Sequence, residues 1–99
     1  GGVESVTLRD LKADETRDLP VEGVFLFVGL EPKTDFLKGF LELDERGYII
    51  TDEDMKTNVR GVLAAGDCRA KTLRQIATAV GDASTAAYVG QRFVEEGVW

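Results

Sequence analysis

The sequence predicts an α/β chain, α+β when taken as an isolated piece. Hairpin or meander strands come first, a short parallel-type strand later, and a long helix closes the chain. Three observations carry this reading. Near the N terminus Val6 and Leu8 alternate with Ser5, Thr7 and Arg9, the two-residue period of a half-buried strand. Further on, the small apolar residues Val62-Leu63-Ala64-Ala65 run into Gly66-Asp67, as a buried strand does when it ends in a carboxylate. From Leu73 the apolar residues Ile76, Ala77, Val80, Ala83, Ala87 and Val94 recur at helical spacing.

The first strand is expected within residues 3–11. Lys12-Ala13-Asp14-Glu15 reads as a turn, and residues 16–21 return as a second strand with Pro20 near its end. After Gly23, the uninterrupted apolar run Val24-Phe25-Leu26-Phe27-Val28 predicts a strand covered on both faces. The stretch Gly29-Leu30-Glu31-Pro32-Lys33-Thr34 breaks it, and residues 36–43 suit a short helical or irregular piece. Glu45-Arg46-Gly47 is a turn before a short strand, Tyr48-Ile49-Ile50. Asp52-Glu53-Asp54 is a polar loop, and residues 62–65 form the strand of the Gly-Asp element. In the final helix Ala83, Ala86, Ala87 and Gly90 make a small-residue face suited to close packing on a sheet or cofactor. Gly81 marks a close contact or a break, and Gly97 is the expected terminator. No internal repeat is evident.

Composition narrows the function. Ninety-nine residues make one domain or part of one, and 43% hydrophobic content belongs to a globular chain with a thin core. The start Gly1-Gly2-Val3, without an initiator Met, is what a processed or excised piece of a longer chain would show. A net charge of −6 argues against non-specific binding to nucleic acid or anionic membranes. With no histidine, the chain lacks the commonest general base and metal ligand. The single cysteine, Cys68, excludes an internal disulfide or a Cys-x-x-Cys pair, and its default reading is a packed or half-exposed thiol.

The residues that could carry chemistry cluster between 61 and 76. Open α/β sheets hold ligands beyond the carboxyl ends of their strands, which is where Asp67 falls. An ionised carboxylate there accepts hydrogen bonds from sugar or polyol hydroxyls, and Gly66 allows close approach. Alternatively, Asp67 simply caps a turn. Arg74-Gln75-Ile76 opens the helix, whose first N–H groups point outward at its positive end. That end could stabilise the negative charge of a reduced flavin, or could be an ordinary first turn with Thr72 as N-cap. The Gly61 to Gly66 spacing imitates a phosphate loop, but Asp67-Cys68 replaces the required Lys-Ser/Thr. Asp52-Glu53-Asp54 lacks the spacing and glycine of a calcium loop.

Taken together, four segments resemble the C-terminal part of low-molecular-weight thioredoxin reductases, FAD-dependent pyridine nucleotide–disulfide oxidoreductases. They are residues 21–37, from Val21-Glu22-Gly23 through Gly29-Leu30-Glu31-Pro32-Lys33-Thr34-Asp35-Phe36-Leu37; Gly47-Tyr48-Ile49-Ile50-Thr51-Asp52; residues 55–67, ending Gly61-Val62-Leu63-Ala64-Ala65-Gly66-Asp67; and residues 71–82, containing Arg74-Gln75-Ile76 and ending Val80-Gly81-Asp82. The resemblance implies part of a two-dinucleotide-binding-domain flavoprotein fold. Residues 1–38 would end the NADPH-binding domain, with residues 29–34 as the crossover. Residues 39–99 would close the FAD-binding domain.

The cofactor-binding residues implied are Gly66, Asp67, Arg74, Gln75 and Ile76. Asp67 would hold the ribityl hydroxyls of FAD, and the other three of the helix start would line the flavin, partly through backbone N–H groups. No catalytic residue and no metal ligand is implied. The parent enzyme would pass electrons from NADPH through FAD to a disulfide of thioredoxin, as a cytoplasmic homodimer. The nucleotide fingerprints and redox Cys-x-x-Cys of that family are absent from this chain. It would need the missing N-terminal FAD and NADPH domain portions, would be inactive alone and would tend to self-associate. Arg60 and Ala83 depart from the family's usual Pro and Gly. Rival readings are the same family with a peroxidase partner or ferredoxin as acceptor, and a non-catalytic interaction module that retains the fold.

Overall fold

The alternation at the N terminus becomes a hairpin. In the computed structural model, which describes residues 1–99, strand β1 spans Ser5–Asp10 and strand β2 spans Glu15–Pro20. They pair antiparallel with Val6 opposite Leu19 and Leu8 opposite Arg17. Asp10 shapes the connecting turn: its Oδ1 accepts the Lys12 N–H at 2.8 Å and the Ala13 N–H at 3.1 Å. Those bonds, the Ala13 one foremost, hold the Asp10 carboxyl below the usual carboxylate range. The hairpin belongs to a compact unit, Gly1–Leu30, distinct from a second, Glu31–Trp99.

Residues 24–28, expected as a doubly covered strand, form no regular structure and are exposed, Phe25 at 89% and Val28 at 100%. A strand exists only by exchanging ladder hydrogen bonds with a neighbour. In this unit β1 and β2 pair with each other and with nothing else. The run has the composition of a central strand without the sheet to receive it.

The second unit holds its backbone with turns and single bridges rather than strands. The expected strands at 48–50 and 62–65 are reduced to bridges: Leu43 with Ile49, Lys56 with Leu63, both antiparallel, and Ile49 with Arg69 in parallel. The expected parallel strand at 62–65 thus makes only an antiparallel bridge, and the Ile49–Arg69 pairing lies outside it. The Ile49 N–H donates to Cys68 O and the Ala70 N–H to Ile49 O, both at 2.8 Å. Turns on either side of each short run end its ladder after one pair. The piece expected at 36–43 is a 3-10 turn, Asp35–Leu37, followed by irregular chain.

Two of those turns repeat one geometry, an internal similarity that the residues themselves do not advertise. In the first, Asp44 Oδ1 accepts the N–H groups of Arg46 and Tyr48, each at 2.9 Å, and the Gly47 N–H donates to Asp44 O. In the second, Asp52 Oδ1 accepts those of Asp54 and Lys56, each at 2.9 Å, and the Met55 N–H donates to Asp52 O. The fourth residue of each turn has positive φ: 88° at Gly47, 66° at Met55. The polar loop at 52–54 is therefore a structured turn. Met55, although strained, is buried. Its carbonyl accepts the N–H of Ala64, which with Leu41 and Ile49 makes a small core onto which Leu37, Leu43, Val59, Val62 and Cys68 pack. No side chain in the molecule is fully shut off from solvent, as the short length foretells.

Helix α1 spans Ile76–Glu96. Its N-cap is Gln75, not Thr72: Gln75 is extended (φ −143°, ψ 161°), and its N–H donates to Thr78 Oγ1 at 3.0 Å. Residues 70–74 stay outside the helix because Arg74 is tied back to the preceding loop. Gly97 closes the helix as expected, at φ 70°, its N–H donating to Phe93 O. Trp99 then packs edge-on against Phe93, ring centres 5.0 Å apart. The helix passes through Gly81 without a break, and nothing approaches that position.

The buried stripe of α1 differs from the one its apolar periodicity suggests. Asp82, Ala86, Val89, Gly90 and Phe93 turn inward, while Ile76, Val80, Ala83, Ala87 and Val94 are exposed. The small-residue face is thus divided, with Ala86 and Gly90 covered and Ala83 and Ala87 open. The physical reason is polar: Asp82 is held by donors from the loop ahead of the helix, which sets the helix rotation. Gly90 faces Leu63, where a Cβ would make ordinary contact at 3.4 Å from Leu63 Cδ1. No helix is long and apolar enough to cross a membrane.

Candidate functional site

The site is built on the loop from Gly66 to the start of α1. Gly66 has φ +88°, in the left-handed region that favours glycine, and it turns the chain sharply after residues 62–65. Its N–H donates to Asp82 Oδ2 at 3.0 Å. The same oxygen accepts Lys71 Nζ at 2.7 Å and Arg69 Nη1 at 3.1 Å. All three side chains of this cluster are 10–12% exposed. Burial works to raise the Asp82 carboxyl, but the Lys71 hydrogen bond, the Gly66 N–H and the two positive charges together hold it below its usual value. Arg69 Nε also donates to Thr51 Oγ1 at 2.7 Å.

Arg74 makes a second clamp. Its Nε donates to Asp67 O at 3.0 Å and its Nη2 to Arg69 O at 2.9 Å. The guanidinium lies 3.7 Å from the centre of the Tyr48 ring, a close cation–π contact on a side chain only 3% exposed. Arg74 therefore holds the loop's backbone and does not point freely outward. Gln75 and Ile76, by contrast, are exposed at the helix start, Ile76 at 85%. Cys68 packs against the core with its thiol 3.4 Å from Ala65 O, in keeping with the packed, half-exposed thiol expected of it.

Asp67 is exposed at the crest of this loop. Three basic residues follow it within seven positions, yet none pairs with it. Arg69 and Lys71 face Asp82, and Arg74 faces carbonyls and a ring. The Asp67 carboxylate is outside every ion pair of the chain. An open carboxylate accepts hydrogen bonds from hydroxyl groups, and the nearby helix start offers N–H groups without intrahelical partners. This donor and acceptor set fits the polyol chain of a flavin and the negative charge its ring carries when reduced. Sequence reasoning singled out Gly66, Asp67 and residues 74–76. It missed Tyr48, Arg69, Lys71 and Asp82, whose roles depend on contacts across 11 to 26 positions that no local pattern reports.

The loop thus presents an open carboxylate between a small core and the start of a long helix. Known proteins of similar sequence and fold identify the family. The family model for pyridine nucleotide-disulphide oxidoreductases matches residues 2–83. The thioredoxin reductase of Peptoclostridium litorale is 46% identical over 97% of this chain, and that of Listeria innocua is 57% identical over 79%. Among solved structures, the thioredoxin reductase of Streptococcus pyogenes superposes over 95% of the chain with a TM-score of 0.76 at 39% identity. That of Lactococcus lactis covers 94% with a TM-score of 0.72 at 43% identity. The chain belongs to the pyridine nucleotide-disulphide oxidoreductase family. It spans 32% of the length of the first relative, 24% of the second and 31% of each structure.

Proposed function

We propose that this chain is one part of an FAD-dependent thioredoxin reductase, which passes electrons from NADPH through FAD to a disulfide of thioredoxin. Residues 39–99 close the FAD-binding domain and residues 1–38 end the NADPH-binding domain. FAD, when bound, supplies the two-electron chemistry. The chain's own residues bind and orient it. Asp67 accepts the ribityl hydroxyls, Gly66 lets the backbone approach, and Gln75 and Ile76 line the ring at the positive end of α1. Arg74 contributes by fixing the carbonyls of Asp67 and Arg69. The redox disulfide and both nucleotide fingerprints come from other segments of the enzyme, which acts as a homodimer in the cytoplasm. The 99 residues alone have no turnover.

The observation that carries this reading is the open Asp67 carboxylate next to the start of α1, in a chain whose relatives are thioredoxin reductases. The test is made on the polypeptide encoded by the whole gene, purified as wild type and as Asp67→Ala. The expected result is bound flavin and NADPH-driven thioredoxin reduction in the wild type, with flavin content falling at least tenfold in the variant. Equal flavin content in both would overturn the assignment of Asp67. A protein that keeps its flavin but reduces no thioredoxin would overturn the acceptor.

A further inference from the structure

Asp67 stands among cations that it does not meet. Lys71 and Arg69 lie four and two positions away on the same loop, within reach of a neighbouring carboxylate for side chains so long. In the structure both are taken up by Asp82, on the second turn of α1, and both are nearly buried there. We infer that Asp82 is a positioning residue that keeps Arg69 and Lys71 off Asp67, so that the Asp67 carboxylate stays free to accept hydroxyl groups of a polyol ligand.

The argument is a competition for one acceptor. A carboxylate in an ion pair has lone pairs committed to N–H donors, and a hydroxyl must displace a charge-assisted bond to reach it. An unpaired carboxylate keeps its acceptor sites for the ligand. Asp82 offers both cations a partner with less solvent competition than the exposed Asp67 can give. The same carboxylate oxygen anchors the Gly66 N–H, so the residue that removes the cations also fixes the turn presenting Asp67. Arg74, the remaining cation, is occupied by two carbonyls and the Tyr48 ring. This inference rests on the reading of Asp67 as a hydroxyl acceptor for FAD.

The test compares FAD binding, by quenching of flavin fluorescence, in the whole-gene polypeptide stripped of flavin. Asp82→Asn is expected to weaken binding at least tenfold. Removing the freed cations as well, in Asp82→Asn/Arg69→Gln/Lys71→Gln, is expected to restore it to within threefold of wild type. A merely structural Asp82 would leave the triple variant as weak as the single one, and that outcome overturns the inference. So does wild-type binding by Asp82→Asn. A crystal structure of Asp82→Asn gives a readout that needs no flavin: a nitrogen of Arg69 or Lys71 within ion-pair distance of Asp67 supports the inference, and an Asp67 still unpaired overturns it. Should Asp82→Asn not fold, Arg69→Gln/Lys71→Gln with Asp82 intact is expected to bind within threefold of wild type, and a tenfold loss would overturn the inference. Asp67→Ala separates this from the broader reading. If it binds FAD normally the ligand role of Asp67 fails, while the crystal structure of Asp82→Asn still decides whether Asp82 withholds the cations.

Discussion

At the scale of single residues, Gly66 and Asp82 make opposite demands on the same turn. Gly66 supplies a backbone conformation. A Cβ built there would meet only Ala79 Cβ, at an ordinary 3.9 Å, so the cost of Gly66→Ala is the left-handed φ itself. Equilibrium urea unfolding is expected to show a loss of about 1–2 kcal/mol. Gly66→Asn should lose less, because asparagine tolerates this region. Asp82 supplies charge. Its carboxyl is held below the ordinary value of 3.8 in the folded chain, so its stabilisation is present above that pH and disappears as pH falls through the lowered folded value. The stability advantage of wild type over Asp82→Asn is therefore expected to be constant near neutrality and to shrink below about pH 4, measured by urea titrations across that range. An advantage that grew on acidification would contradict the assigned sign. Asp67 was singled out in the sequence by its place after a small apolar run, a place that also suits an aspartate capping a turn. Asp82 was not, since an aspartate inside a helix reads like any solvated polar position.

At the scale of elements, the two aspartate turns show how the same backbone can be plain or hidden in the residues. Glu45-Arg46-Gly47 announces its turn through the glycine. Asp52-Glu53-Asp54-Met55 adopts the same geometry with methionine at the positive-φ position, and nothing in its composition says so. Met55 buries its side chain at the expense of backbone strain. Met55→Ala is expected to cost about 2–5 kcal/mol for the lost packing. Met55→Gly loses the same contacts but relieves about 1–2 kcal/mol of left-handed strain. Glycine should therefore match or exceed alanine at this position in urea unfolding, the reverse of the usual order in a buried segment. Helix α1 teaches a similar lesson. Its length and its Gly97 terminator were readable, but not which stripe faces inward, because that stripe includes an ion-paired aspartate that apolar periodicity does not mark.

At the scale of the whole molecule, the core is confined to one of the two units. All three central core residues, Leu41, Ile49 and Ala64, lie in Glu31–Trp99, and the hairpin lies in Gly1–Leu30. The hairpin and the closing helix were predictable from periodicity. The strand expected at 24–28 was not realised, because apolar composition records what a segment needs, and its hydrogen-bonding neighbours are a property of the rest of the sheet. The bridges at residues 49, 63 and 69 make the same point within the second unit, where a sheet-like sequence settles for single pairs.

The exposed run at 24–28 has a consequence for handling the protein. Phe25, Leu26 and Phe27 are accessible side chains on backbone that no helix or strand protects, which is what a digestive protease of chymotrypsin specificity requires. Brief digestion under native conditions should cut there first. Phe36, in the 3-10 turn, and Tyr88, within α1, should be cut later, since their peptide bonds must first leave a hydrogen-bonded turn. Mass spectrometry is expected to find a persistent product that begins between residues 26 and 31 and runs to Trp99. Early appearance of cuts after Tyr88 would mean that the second unit does not hold together without the first.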